Sequence, residues 1–180
     1  GFVKLDESRD STKDGTNNGA TTGVTGKIGN AWSFDGTNDA VTGTNPFTNT
    51  DDQSVAFWVK MPTINQGGGL VGTLSSGATA EKNDFYFDID TIEGFQLYKR
   101  TSDGNSDIDQ YSAGANAWVA NTWYHIAYVY DDSVGLTGDN YNQGAISFYV
   151  NNVMVDDTAT DSNWSGSNAD DLQIGTDEQN

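Results

Sequence analysis

Trp123-Tyr124-His125-Ile126-Ala127-Tyr128-Val129-Tyr130-Asp131 and, after a polar interval, Ala145-Ile146-Ser147-Phe148-Tyr149-Val150-Asn151-Asn152-Val153-Met154-Val155 decide the fold of this chain. The first run is dense in aromatic and β-branched residues, which suit a pleated, half-buried surface. In the second, Ile146, Phe148 and Val150 alternate with Ser147 and Tyr149, the period of two expected of a strand with one buried face. Asn151-Asn152 then separates two apolar runs. Asn tolerates positive φ, so this pair fits a two-residue hairpin turn. Three consecutive antiparallel strands are the expectation.

Outward from this triplet the same pattern recurs in short pieces. Residues 2–5, 28–34 and 40–41 read as strands. Residues 54–61 are the cleanest of the early ones: Val55, Phe57, Val59 and Met61 alternate with Ala56, Trp58 and Lys60, and Pro62 ends the run. Gly67-Gly68-Gly69 leads into residues 70–74. Residues 84–89 and 94–99 pair around a turn at 90–93, and 108–111 and 172–174 add two weaker strands. Residues 6–27 are Asp, Ser, Thr, Asn and Gly with almost no apolar side chains, which reads as a loop. So long a loop in a compact domain calls for something to pin it, and a metal ion is one candidate. No helix and no internal repeat is expected. Short strands separated by turn signals point to an all-β chain, an antiparallel two-sheet β-sandwich formed as one domain over residues 1–180.

The charge balance excludes some partners. The formal net charge is −18, 22 of the 26 acidic residues are Asp, and only 8 residues are Lys or Arg. Such a chain repels phosphate backbones and anionic headgroups, so neither nucleic acid nor membrane insertion is expected. A heavily solvated secreted surface and adaptation to high salt both account for the acidity. The hydrophobic fraction of 35% is low for a globular protein. Its apolar residues nevertheless fall into short, well-spaced runs, which favours a folded domain over disorder. The chain has no Cys, so it has no disulfides and thiols say nothing about its compartment. No apolar run approaches the ~20 residues needed to span a bilayer, and no signal peptide is evident. An opening Gly1 without Met reads as a processed or excised segment.

Several segments resemble one family. Gly26-Lys27-Ile28-Gly29-Asn30-Ala31-Trp32-Ser33-Phe34-Asp35-Gly36-Thr37-Asn38-Asp39 resembles the G-K-x-G-x-A-x-x-F-D-G-x-x-D signature of laminin-G-like, concanavalin A-like jelly-roll domains. Residues 54–60, S-V-A-F-W-V-K, resemble that family's next strand. Residues 123–131 resemble its W-x-H-I-A-x-V-Y-D strand, and residues 148–155 its F-Y-V-N-G-x-x-V hairpin, with Asn152 where Gly is usual. Residues 172–176 resemble its L-x-I-G-T segment. The matches are collinear over nearly the whole chain. The resemblance implies a two-sheet jelly roll, extracellular or on a cell or virion surface, that binds glycans or glycoproteins and often holds one structural calcium. The family's closing strand, G-x-I-D-E-V-R-I-Y, has no counterpart before Asn180. That departure leaves two readings: the segment is cut short of its last strand, or the strand is added to an open sheet edge by other chains of a surface or virion fibre.

Within that frame the candidate calcium ligands are Asp10, Asp14 and Asn17 in the first polar stretch and Asp35, Asn38 and Asp39 in the turn after the signature, since calcium takes oxygen ligands from loops. Asp in turns is also what an Asp-rich chain shows without any metal. Asp103-Gly104-Asn105-Ser106-Asp107 imitates only the start of an EF-hand loop. Asp88, Asp90 and Glu93 resemble the E-x-D-x-x-E strand of laminarinase-type glucanases of the same jelly-roll class. However, the first carboxyl is one methylene short, and Glu93-Gly94 reads as a turn. His125, the only His, lies in a core-like strand and reads as structural, as do Trp58 and Trp123. Trp118 and Trp164 sit among small polar residues in expected loops, where an exposed ring can stack on sugar. With Tyr98 they form the expected ligand-binding set. Asn163-Trp164-Ser165 is a glycosylation sequon. The resulting expectation is a recognition module without catalysis, not an enzyme. A fibre-assembly domain and a laminarinase-type hydrolase are the alternatives.

Overall fold

The computed structural model describes residues 15–46, 52–62, 69–74, 85–90, 94–100, 108–112, 118–131, 143–156, 159–163 and 171–175. Among these residues there is no helix. In chain order the strands are β1 (Thr16–Asn18), β2 (Thr21–Thr25), β3 (Asn30–Ser33), β4 (Ala40–Thr44), β5 (Gln53–Lys60), β6 (Val71–Leu74) and β7 (Phe85–Asp90). They continue as β8 (Gly94–Arg100), β9 (Ile108–Ser112), β10 (Trp123–Asp131), β11 (Gln143–Val150), β12 (Val153–Asp156), β13 (Ala159–Asn163) and β14 (Asp171–Ile174). Every pairing is antiparallel. One sheet has seven strands in the order β1-β4-β14-β6-β7-β8-β9. A second has five, β12-β11-β10-β5 with β13 on β11, and β2-β3 forms a separate two-stranded ribbon.

The central triplet folds as its sequence implies. β10 pairs with β11 from Ile126↔Val150 to Asp131↔Ala145, and β11 turns into β12 through Asn151 and Asn152 at φ 52° and 65°. Positive φ at both central residues is the turn that matches strand twist. Asn151 also holds the edge of β10: its Oδ1 accepts the His125 N–H at 2.9 Å, and its own N–H reaches the His125 carbonyl at 2.8 Å.

Alternation places the core between the two sheets. Phe57, Val59, Tyr124, Ile126, Tyr128 and Phe148 face inward from the smaller sheet. Val71, Phe85, Phe87, Ile89, Phe95, Leu97 and Ile174 meet them from the larger one. The Tyr128 hydroxyl reaches Gln53 Oε1 at 3.0 Å at the rim, which lets a large aromatic bury its ring without stranding its polar end.

Two sequence expectations are corrected. The polar stretch up to residue 27 is not all loop: it holds β1 and β2. Their side chains are almost all exposed, so the hydrophobic period that marks a strand is missing. Trp58 and Trp123 are not core residues. They occupy the outward positions of β5 and β10, where the inward places belong to Phe57, Val59 and Tyr124. β13, all small and polar, carried no signal either.

β14 lies in the middle of the larger sheet, between β4 and β6. Gly175 closes it at φ +84°, and its N–H bonds the Leu70 carbonyl at 3.0 Å. A Cβ added there would stand 2.2 Å from Phe34 Cδ1. Left-handed backbone and a ring in the way are two separate penalties. Gly175→Ala is expected to cost about 2–4 kcal/mol, read as a lowered urea midpoint. Gly23, also at positive φ but with open space around it, should cost only about 1 kcal/mol as Ala.

Candidate functional site

One side of β4, β14, β6, β7 and β8 is committed to the core. Their intervening residues therefore lie on the outer face of the larger sheet. The register aligns these positions into one row across all seven strands: Thr16, Thr42, Gln173, Gly72, Tyr86, Tyr98 and Gln110. A shorter row beside it sets Asp88 opposite Gln96, and Gln96 opposite Ser112.

Local packing shapes this face. Gly72 sits opposite Tyr86, and a Cβ there would meet the Phe85 carbonyl oxygen at 2.8 Å and Tyr86 Cδ2 at 3.2 Å. The missing side chain lets the Tyr86 ring rest against the sheet instead of standing on it. Asp88 Oδ1 accepts the N–H of Ile89, which fixes the carboxylate on the strand. Gln96 is 1% exposed, a buried amide on a polar face. Gln96 is therefore structural, and the face offers the Tyr86 phenol, the Asp88 carboxylate and the Gln173 amide, all partly exposed on regular strands. These groups can hydrogen-bond hydroxyls, stack on a sugar ring and exchange protons.

The expected ligand-binding set divides. Tyr98 stands in the long row, opposite Tyr86. Trp118 does not offer an exposed ring: it is 7% exposed and packs 6.2 Å from Phe95 at 51°. Its small polar neighbours suggested a loop, but so large an apolar ring at the sandwich end buries itself. Trp164 lies outside the described residues. Asp88 and Asp90 share β7, as the laminarinase-like spacing required, while Glu93 also lies outside the described residues. His125 is half-buried on the outward side of β10, with its ring 5.2 Å from that of Trp58.

Of the expected calcium ligands, Asp10 and Asp14 lie outside the described residues. Asp35 Oδ1 accepts N–H groups from Thr37 at 2.8 Å and Asn38 at 3.4 Å, and Asp39 Oδ2 accepts from Asp35 at 2.9 Å. These bonds brace the turn, the ordinary use of Asp there. Asn17 donates to the Ala20 carbonyl at 2.8 Å, and Asp39 Oδ1 fills the space that a side chain on Gly19 would need. Among the described residues no cluster of three or more His, Cys, Asp or Glu could hold a metal. The remaining oxygens of Asp35, Asp39 and Asn17 fall short of the about 6–8 that calcium takes. A calcium site here therefore needs Asp10 and Asp14 as well.

Sequence reasoning missed Tyr86, Gln96, Gly72 and Gln173. The signal was available in Phe85-Tyr86-Phe87-Asp88-Ile89-Asp90 and Phe95-Gln96-Leu97-Tyr98. Reading the polar half of that alternation as a surface would have found Tyr86 and Gln96, whereas Gly72 and Gln173 join the row only through the sheet order.

Comparison with known proteins agrees with this architecture. Residues 34–180 match the Laminin_G_3 family model, described as the concanavalin A-like lectin/glucanases superfamily. No curated protein sequence matches the chain. Among solved structures, domain 4 of a GH43 extracellular arabinanase from Geobacillus stearothermophilus, in complex with arabinotriose, is 17% identical at a TM-score of 0.64. That match covers 91% of this chain and 69% of the other. An endo-β-1,4-glucuronan lyase from Trichoderma reesei is 12% identical over 90% of this chain and 75% of its own, with a TM-score of 0.55. An alginate lyase from Chlorella virus is 14% identical over 92% and 80%, with a TM-score of 0.54. These relatives correct the expectation of a module without catalysis, not an enzyme. The fold is shared with polysaccharide lyases and with a domain of a glycoside hydrolase, so the lack of a familiar acid triplet excludes nothing. Fold, register and family model agree: the chain belongs to the concanavalin A-like lectin/glucanases superfamily.

Proposed function

We propose that this domain processes carbohydrate polymers, with the glycan lying across the outer face of the seven-stranded sheet. The observation that carries this reading is the unbroken cross-strand row from Thr16 to Gln110, flanked by Asp88. A row about 4.8 Å per strand extends some 29 Å over seven strands, long enough for several sugar residues. Tyr86, resting against Gly72, supplies the stacking surface. Asp88 and the Tyr86 phenol are the acid–base candidates, because each can carry a proton to or from a glycosidic centre. The arabinanase domain and the two lyases named above support glycan chemistry on this fold.

The test is to incubate the chain with arabinan, laminarin, alginate and glucuronan and to follow new reducing ends and unsaturated sugars. Cleavage of at least one polymer is expected. Asp88→Asn and Tyr86→Phe should each lower the rate by about a hundredfold or more, within the range of a lost acid–base group. Cleavage indifferent to both substitutions would move the site elsewhere, and no cleavage of any polymer would end the proposal.

A further inference from the structure

The opposite side of the sandwich carries a surface of different character. β5, β10, β11 and β12 turn Phe57, Tyr124, Ile126 and Phe148 to the core, so Trp58, Trp123 and Tyr149 lie outward. Register puts Ala56, Ala127, Tyr149 and Met154 in one row, and Trp58 beside His125 in the next. The two alanines make a low floor between the indoles and the tyrosine. The face stays open: Met154 is 48% and Val129 43% exposed. Contiguous exposed apolar surface of this kind marks an interaction site more often than chance.

Its charge is what identifies the occupant. In a chain of 26 acidic residues, the outward positions from the Lys60–Trp123 pair to the Ser54–Val129–Ser147 row contain none, and acids return in the row beyond, at Asp131 and, by alternation, Asp52. Two of only eight cations stand here instead. Lys60 Nζ lies 5.2 Å from the Trp123 ring centroid, and Lys27 Nζ, carried on the turn between β2 and β3, lies 5.3 Å from that of Trp58. Cation–π contact holds each ammonium over its ring while leaving N–H donors for an anion. The chain's net charge of −18 opposes every polyanion at long range, but over a screening length of about 8 Å the two lysines favour a ligand that carries carboxylates, and a neutral ligand would gain nothing from them.

We propose that this face is a second glycan-docking surface, specific for a carboxylate-bearing polysaccharide. Tryptophan and tyrosine would stack on sugar rings, and Lys27 and Lys60 would pair with uronate carboxylates. The proposal goes beyond catalysis at the larger sheet and stands whether or not a polymer is cut there.

Polygalacturonate and its fully methyl-esterified form are the probes. The intact chain at about 0.15 M salt should bind the acid form at least tenfold more tightly than the ester, by calorimetry. Lys27→Gln with Lys60→Gln, two surface changes with little bearing on folding, should weaken acid-form binding at least tenfold. The acid form should also protect Lys27 and Lys60 from acetylation, read by mass spectrometry. Equal affinity for acid and ester, binding unchanged in the double variant, or unprotected lysines would each overturn the proposal. So would a polymer-independent dimer that protects the same lysines, since it would assign the face to a second copy.

Discussion

Phe87→Ala should leave the domain close to unfolding at ordinary temperature. Phe87 is 0% exposed and sits on β7 of the larger sheet, yet most of its ring neighbours belong to the smaller one. Phe57 on β5 meets it edge-on at 5.1 Å and 80°, Tyr128 on β10 lies 5.6 Å away, and Phe148 on β11 lies 6.3 Å away. Only Phe85, at 6.0 Å, shares its strand. One ring therefore joins three strands of one sheet to the centre of the other. Truncating a buried Phe costs about 3–5 kcal/mol in transfer and cavity terms. That is a large part of the roughly 5–15 kcal/mol that holds a domain folded. The urea midpoint should fall accordingly, with an unchanged slope if the denatured state is unaffected. Val129→Ala, on the exposed face of β10, should stay within about 0.5 kcal/mol of the parent. If the two variants melt together, the contact between the sheets is not built around Phe87.

Where core demand and local pattern coincide, the sequence is easy to read. β5 and β10 alternate cleanly because every second residue fills the space between the sheets, and Asn151-Asn152 announces its turn through the backbone angles it must adopt. β1, β2 and β13 were illegible for the complementary reason. β1 and β2 are held by cross-strand backbone bonds and bury almost nothing, and the small, mostly polar sequence of β13 likewise carries no hydrophobic period. The same limit applied to the tryptophans. Aromatic residues inside a strand invite a core assignment, yet parity along β5 and β10 decides which face each one takes. Trp58 and Trp123 fall on the wrong parity for the core, while Trp118, outside any strand, is free to turn inward against Phe95. Of the candidate site, the members of β7 and β8 could be placed by parity alone. Their union with Gln173 and Thr42 could not, because β14 reaches its place between β4 and β6 from the far end of the chain.

Charge supplies the second large effect. Folding a chain with net charge −18 crowds like charges, and dilute buffer does little to screen them. At ~1 M salt the screening length shortens to about 3 Å, less than the spacing of most surface carboxylates. If screening relieves about 3 kcal/mol of repulsion, the melting temperature should rise by roughly 6–12 °C for a domain of this size. Calcium should act in addition and locally, if Asp10 and Asp14 complete the partial set at Asp35, Asp39 and Asn17. An ion that binds only the folded state stabilises it by mass action, about 2.7 kcal/mol at a hundredfold excess over Kd. Asp35→Ala separates the two effects. It removes the Thr37 and Asn38 hydrogen bonds, so its baseline should drop by about 1 kcal/mol. It should retain the full response to sodium chloride and lose the increment from millimolar calcium at fixed ionic strength. A melting temperature flat from dilute buffer to molar salt would remove charge repulsion as a term in this fold. A calcium increment matched by magnesium, or one that survives Asp35→Ala, would leave only general screening, with Asp35 bracing its turn and nothing more.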